Sequence, residues 1–280
     1  MKRTLTHVDC FAGPGGICTG LTAAGFKTLV AIEYVKTCCE TYSANHPEVH
    51  VIHSDIRNVG IEDIKNHVPD SGVDLVTSGM PCETFSTAGN TSRSFYDDRQ
   101  FLFREGIRIA KLVKAKMILF ENVPGITSKR TQKNSGAFII DVLKSELVEA
   151  GYENYIEIIL DASNFGVPQK RNRYFILASR IPDLKLEPPI PETKGVVTVE
   201  DAFKGLPNVI PNTDTVPTEY NGEESNYSLR LKNDKFWRRS EACVDYLTLQ
   251  TPMKHRDATL KRFSMLEKGE GLKDLFCKFS

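Results

Sequence analysis

The sequence has no excess of charge of either sign: 36 lysines and arginines stand against 36 aspartates and glutamates. Such a balance excludes a protein coated in positive charge, but not one with a single basic cleft, because binding responds to the local field. No apolar run approaches the ~20 residues that a bilayer crossing needs. The opening residues pass from two basic side chains straight into a strand pattern with no signal-peptide core, so a cytoplasmic protein without a membrane segment is expected. The cysteines, at 10, 18, 38, 39, 82, 243 and 277, form no C-x-x-C pair. Neither a zinc centre nor a disulfide framework is therefore expected, and a reducing compartment fits best. Internal repeats and low-complexity tracts are also missing.

What is present is an alternation of short apolar runs with amphipathic stretches, the pattern of a mostly parallel sheet flanked by helices. Strands are expected at residues 5–11, 28–32, 73–78 and 117–120, with a late pair at 155–160 and 174–178. Helices are expected at 17–24, stopped by Gly25, at 36–45, ended before Pro47, at roughly 99–114, and at 137–150, closed by Gly151. With 280 residues and 40% hydrophobic content, the chain can bury one large core and carry a small appendage. The predicted organisation is an α/β domain over residues 1–180, a proline-rich, irregular linker over 181–235 and a small tail over 236–280 that regains a basic, helical pattern.

Three loops draw the chemistry together. The first is Phe11-Ala12-Gly13-Pro14-Gly15-Gly16 between a strand and a helix, where glycines let the backbone turn tightly and approach a ligand. Glu33, at the end of the second strand, is placed to accept from ribose hydroxyls, Tyr34 to pack on an adenine face, and Asp55-Ile56, after a further strand expected between the second helix and residue 55, to meet the adenine amino group. Alone, this segment fits a bare tight turn or a dinucleotide oxidoreductase as well. The second loop, Gly79-Met80-Pro81-Cys82-Glu83-Thr84-Phe85-Ser86, follows a buried strand, where ligands bind in such sheets. A thiolate there, adding to carbon 6 of cytosine, would make carbon 5 an enamine carbon able to accept a methyl group, which is covalent catalysis. The third, Glu121-Asn122-Val123, supplies a carboxyl for the ring's polar edge. Burial among apolar neighbours is expected to raise its pKa, with Asn122 holding the loop.

A fourth segment, Gln169-Lys170-Arg171-Asn172-Arg173-Tyr174, reads as the opening of a strand whose alternation puts Gln169, Arg171 and Arg173 on one face. Arginines so placed suit a phosphate or a base carbonyl.

Together, and in this order, these segments resemble the DNA cytosine-5 methyltransferase family of the bacterial and phage restriction-modification type. Phe-x-Gly-x-Gly-Gly is similar to its cofactor motif, Pro81-Cys82 to its nucleophile motif, Glu121-Asn122-Val123 to its acid motif and Gln169 to Arg173 to its arginine motif. Arg99-Gln100-Phe101-Leu102-Phe103 is similar to its R-x-x-L-F helix start, which would set Leu102 against the cofactor. The resemblance spans about residues 5–180. It implies a Rossmann-like methyltransferase fold, S-adenosylmethionine as cofactor, and double-stranded DNA as substrate. Cys82, Glu121, Arg171 and Arg173 would be the catalytic set. Phe11, Ala12, Gly13, Gly15, Gly16, Glu33, Tyr34, Asp55, Ile56, Pro81 and Leu102 would lie around the cofactor, and Ser86, Asn122 and Gln169 near the DNA. The target base would be flipped out of the duplex, with residues 84–97 closing over it. Lys129, Arg130, Lys133, Lys235, Arg238 and Arg239 are further candidates for phosphate contacts.

Family members usually continue into a recognition region and end with two further motifs, the last a Gly-Asn segment. Neither motif is found here. The tail at 253–275 resembles the segment that introduces the recognition region, which would make residues 236–280 the start of an incomplete one. The resemblance therefore implies a catalytic half, completed by a second polypeptide or cut short, with weak activity of its own. Methylation of transfer RNA is the nearest alternative, although that branch typically has threonine at the position of Ser86. A non-catalytic DNA-binding subunit of the same fold is the other.

Overall fold

A computed structural model describes residues 3–81, 98–132, 135–191, 195–217, 219–233, 250–271 and 274. Cys82, Ser86, the expected closing loop, Lys133, Lys235, Arg238 and Arg239 lie outside the described residues.

Apolar β-branched runs bounded by glycine or polar turns become strands. In chain order the first unit contains β1 (Leu5–Cys10), α1 (Gly16–Ala23), β2 (Phe26–Glu33), α2 (Lys36–Asn45), β3 (His50–His53), α3 (Ile61–Ile64), β4 (Leu75–Ser78), α4 (Phe103–Leu112), β5 (Met117–Asn122), β6 (Arg130–Gln132), β7 (Ser135–Phe138), α5 (Ile139–Glu149), β8 (Asn154–Asp161) and β9 (Asn172–Ser179). Seven of the strands form one sheet in the order β3-β2-β1-β4-β5-β9-β8, and β6 with β7 makes a separate hairpin. The contiguous set from β3 to β5 is parallel, and β9 runs antiparallel to both β5 and β8.

From β1 the chain first builds outward to β2 and β3, then returns to lay β4 on the other side of β1. That reversal leaves a crevice beyond the carboxyl ends of β1 and β4, where open α/β sheets bind their ligands. The central strands are buried on both faces. Val8, Val30, Val76, Ile118 and Ile176 are wholly enclosed, as expected of parallel strands covered by helices.

Helical spacing gives the covering layer. In α4 the buried residues Phe103, Gly106, Ile107 and Ala110 recur at three- and four-residue intervals, and in α5 Ile139, Ile140, Leu143 and Leu147 do the same. Gly106 brings α4 down onto the end of β4: a methyl group built there would lie 2.6 Å from Ser78 Oγ.

The second compact unit, Val197–Ser280, holds α6 (Val199–Phe203), α7 (Asn226–Asn233) and α8 (Asp257–Ser264). Thr198 and Asp201 cap α6 reciprocally, the Thr198 hydroxyl accepting from Asp201 N and the Asp201 carboxylate from Thr198 N. Lys268 bonds Glu200 at 2.6 Å, and Asn212 pairs with the backbone of His255 through both ends of its amide.

Candidate active site

The cleft at the carboxyl ends of the strands encloses about 1120 Å³ and is lined by Phe11, Ile32, Glu33, Tyr34, Val35, Ser54, Asp55, Ile56, Arg57, Gly79, Pro81, Asp98, Arg99, Phe101, Leu102, Arg104 and Glu105. Of the residues expected around a cofactor, Phe11, Glu33, Tyr34, Asp55, Ile56, Pro81 and Leu102 are in this wall. Ala12, Gly13, Gly15 and Gly16 are not, and their part is to shape the loop.

Glu33 organises that loop from β2. Its Oε2 accepts the Gly13 amide at 2.8 Å, while Oε1 accepts from Tyr34 N and Val35 N at 2.9 and 2.7 Å. A carboxylate has about four acceptor positions, so three amides leave it room for one further donor. The loop also holds Phe11 at φ 56, a left-handed conformation rarely taken by an aromatic residue. Gly15, at φ 97, lies under Tyr42 and His46: a side-chain carbon there would stand 3.1 Å from His46 Cδ2 and 3.2 Å from Tyr42 Cδ2.

Behind the loop the core contains a closed polar chain. His7 bonds Thr28 Oγ1 through Nδ1 at 2.9 Å and Thr77 Oγ1 through Nε2 at 2.8 Å. Thr77 donates to Asp9 Oδ1 at 2.6 Å, and the Tyr42 hydroxyl donates to Asp9 Oδ2 at 3.3 Å. Burial pushes Asp9 up to about 7 and His7 down to about 3, since a low dielectric disfavours the charged form of each. Both are neutral in mild acid.

Across the cleft, Asp55 caps the 3-10 turn Ile56–Asn58. Its carboxylate is gripped by the Arg57 guanidinium, with Nε 3.0 Å from Oδ1. This hydrogen bond holds Asp55 below the usual carboxylate range. The expected reach of Asp55 to an adenine amino group therefore has to be shared with a neighbour that the sequence reading missed. The signal was present, as an arginine two residues on, where it meets the carboxylate of an N-cap.

The remaining loops meet at β4 and β5. Gly79 N donates to Cys10 O at 3.2 Å, and Asn122 Nδ2 donates to Met80 O at 3.3 Å. Asn122 Oδ1 accepts from Val123 N at 2.8 Å, so one buried amide ties the residues after β4 to the end of β5. Glu121 points the same way, its Oε2 lying 3.8 Å from a carbon built on Gly79. The surroundings of Glu121 differ from those expected: it is half-buried rather than enclosed by apolar groups, and its Oε1 accepts from Arg173 Nε at 2.8 Å.

Nor does one strand face carry Gln169, Arg171 and Arg173. β9 begins at Asn172, and Gln169 and Arg171 are exposed residues of the connection before it. Arg171 N donates to Asp161 Oδ1 at 3.2 Å, and Ala162 N to Arg171 O at 3.1 Å. These bonds replace ladder pairing at that point, and only Arg173 reaches Glu121. Arg130 is engaged within its hairpin, donating to Gly136 O at 2.8 Å with its guanidinium 4.0 Å above the Phe138 ring.

Residues 5–263 match the family of C-5 cytosine-specific DNA methylases. The chain is 32% identical to the Type II methyltransferase M.DdeI of Desulfomicrobium norvegicum over 271 residues, covering 95% of this chain and 62% of that protein. It is 38% identical to M.FnuDI of Fusobacterium nucleatum over 211 residues, covering 74% of this chain and 57% of that protein. Among solved structures, one described as a DNA modification methyltransferase encoded within an E. coli prophage superposes with a TM-score of 0.72 at 25% identity, covering 95% of this chain and 77% of that one. A mutant of Spodoptera frugiperda DNMT2, at 23% identity and a TM-score of 0.52, shares the fold. The chain thus spans about 60% of the length of these curated relatives. Its sheet order, its cleft and this match over nearly all of its residues agree, and the chain belongs to the C-5 cytosine-specific DNA methylase family.

Proposed function

We propose that this chain transfers a methyl group from S-adenosylmethionine to carbon 5 of a cytosine flipped out of double-stranded DNA, with Cys82 as the nucleophile. The observation that carries the reading is the convergence of Glu121, paired with Arg173 at 2.8 Å, on Gly79, three residues before Cys82, at the rim of the cleft.

The cleft suits the cofactor chemically. Among its acidic residues Glu33 keeps an open acceptor position, and apolar walls come from Phe11, Ile56 and Leu102, with the largely exposed ring of Tyr34 beside them. When bound, S-adenosylmethionine supplies an electrophilic methyl group. The protein's part is to make carbon 5 nucleophilic. The Cys82 thiolate adds to carbon 6, and the electron pair displaced from the ring double bond is drawn toward nitrogen 3. Glu121 is the group to bring a proton or hydrogen bond to that nitrogen, and Arg173 fixes its carboxyl. After methylation, loss of the carbon-5 proton and breakage of the sulfur–carbon bond restore the ring and the thiolate. Asn122 keeps Met80, two residues before Cys82, in register with the end of β5.

The relatives run well beyond the part matched here. We infer that methylation of a defined site calls on further polypeptide, in this chain or a second one, acting on DNA in the bacterial cytoplasm.

The deciding experiment incubates the chain with labelled cofactor and duplex DNA carrying 5-fluorocytosine, with transfer RNA as comparator. Trapping on DNA that is lost in Cys82→Ser is expected. Preferential labelling of transfer RNA, or an adduct that survives the substitution, would overturn the reading.

A further inference from the structure

The wall of the cleft is held by a residue that does not line it. Arg108, on α4, donates through Nη2 to Ile56 O at 2.6 Å and through Nη1 to Val59 O at 2.8 Å. Its Nε donates to Glu105 Oε2 at 2.7 Å. One guanidinium therefore spans the two ends of the 3-10 turn Ile56–Asn58 and is itself aimed by a carboxylate one helical turn away. The turn carries Asp55, Ile56 and Arg57 into the cleft, and the residues just before α4 bring Phe101 and Leu102 to it.

We propose that the Glu105–Arg108 pair is a positioning device for cofactor binding, setting the separation between the Ile56 turn and the Phe101–Leu102 wall. The proposal rests on the cofactor reading above. The guanidinium suits this task because its planar fork fixes two acceptors at once. An ammonium at the same place is a point charge without a planar fork, so it does not fix the two carbonyls and the Glu105 carboxylate in one geometry. Other bonds of the turn, Asn58 N to Asp55 O, Val59 N to Ile56 O and those of Arg57 to the Asp55 carboxylate, are local and do not anchor it to α4.

The test titrates S-adenosylhomocysteine calorimetrically into the full chain. It compares the natural protein with Arg108→Met, Arg108→Lys, Glu105→Gln and Glu33→Gln. Losing hydrogen bonds to a charged donor predicts dissociation constants raised about ten- to a hundred-fold in Arg108→Met, with Arg108→Lys and Glu105→Gln in between. In turnover assays the KM for the methyl donor rises correspondingly, while kcat at saturation moves less than about two-fold. Arg180→Met is the control for a purely structural loss, because Arg180 makes a similar clamp to Ala150 O far from the cleft. It should lower thermal stability without changing the dissociation constant. Arg108→Met with natural affinity, or with a loss no larger than that of Arg180→Met, would overturn the clamp. If Glu33→Gln nonetheless weakens binding in that case, the cleft reading survives; if the natural chain takes no ligand at all, both fall.

Discussion

Arg173 reaches across the end of β5 to hold Glu121, with its Nε 2.8 Å from Glu121 Oε1. A partly exposed pair of this kind adds only about 0.2–1 kcal/mol to stability, so its worth lies in aiming the carboxyl. Glu121→Gln should lower methyl transfer by about 10²- to 10⁴-fold, the usual range for a lost acid–base group. Arg173→Met should lower it less, and the double variant no further than Glu121→Gln alone. Single-turnover transfer assays beside thermal melts check this. Additive losses, or a large drop in melting temperature, would show that the two act separately or only structurally.

Gly15 combines a positive φ with close neighbours on α2. Gly15→Ala should therefore destabilise by roughly 1–3 kcal/mol through backbone strain, and weaken ligand binding in the adjoining cleft. Urea melts and ligand titration read the two effects. A variant as stable as the natural chain would mean that the loop relaxes freely around the added methyl.

At Gly106 two expectations oppose each other. Alanine in a helix interior is favoured over glycine by about 0.8–1.0 kcal/mol, but here the new methyl would press on Ser78 Oγ at 2.6 Å and on the Ser78 Cβ at 2.9 Å. Overpacking of this sort costs about 1–3 kcal/mol, so net destabilisation is expected, and Ser78→Gly should recover part of it. Stabilisation by Gly106→Ala would show that α4 can lift off β4.

The buried pair under the cofactor loop makes a prediction with two opposing slopes. Asp9, raised from 3.8 to about 7, keeps a proton that the unfolded chain gives up, so its contribution is lost as pH rises from about 4 to 7. His7, lowered from 6.5 to about 3, stays neutral where the unfolded chain is protonated, so its contribution is lost as pH falls from 6.5 toward 3. Between about pH 4 and 6.5 the contributions of these two groups oppose and nearly cancel. Asp9→Asn should steepen the rise in stability toward pH 6.5 relative to the natural chain. His7→Gln should turn the profile downward toward pH 7 relative to the natural chain. Urea unfolding across this range separates the three curves, and identical profiles would refute the account.

Much of the first unit was legible because the central strands β1, β2, β4 and β5 are short apolar runs followed by glycine- or proline-containing or polar turns. The helix Lys36–Asn45 coincides with its expected bounds, and Gly25 and Gly151 take the positive φ that ends a helix. Six of the seven cleft residues expected from the sequence sit at strand ends or in the turns that follow, where open α/β sheets bind ligands, whereas Leu102, directly before α4, was named through the family's helix-start motif. The start of β9 was misjudged because the alternation of Gln169, Arg171 and Arg173 mimics a strand, whereas Asp161 and the turn at Gly166, φ 75, take up the preceding backbone. The surroundings of Glu121 were unreadable for a different reason. Its partner is fixed by strand pairing over a long sequence separation, which local pattern does not encode. The β6–β7 hairpin, short and polar, gave no periodic signal.

Because β9 enters the sheet against the direction of its neighbour β5, it presents its beginning where the parallel strands present their finish. Changes in chain length between β8 and β9 should consequently disturb Arg173 and catalysis, whereas equal changes just after Ser179 fall at the opposite border of the sheet. Insertions behind the sheet should therefore act on stability, through anchors such as Arg180, rather than on the aim of Arg173, while the few residues leading into Arg173 are held to a fixed span.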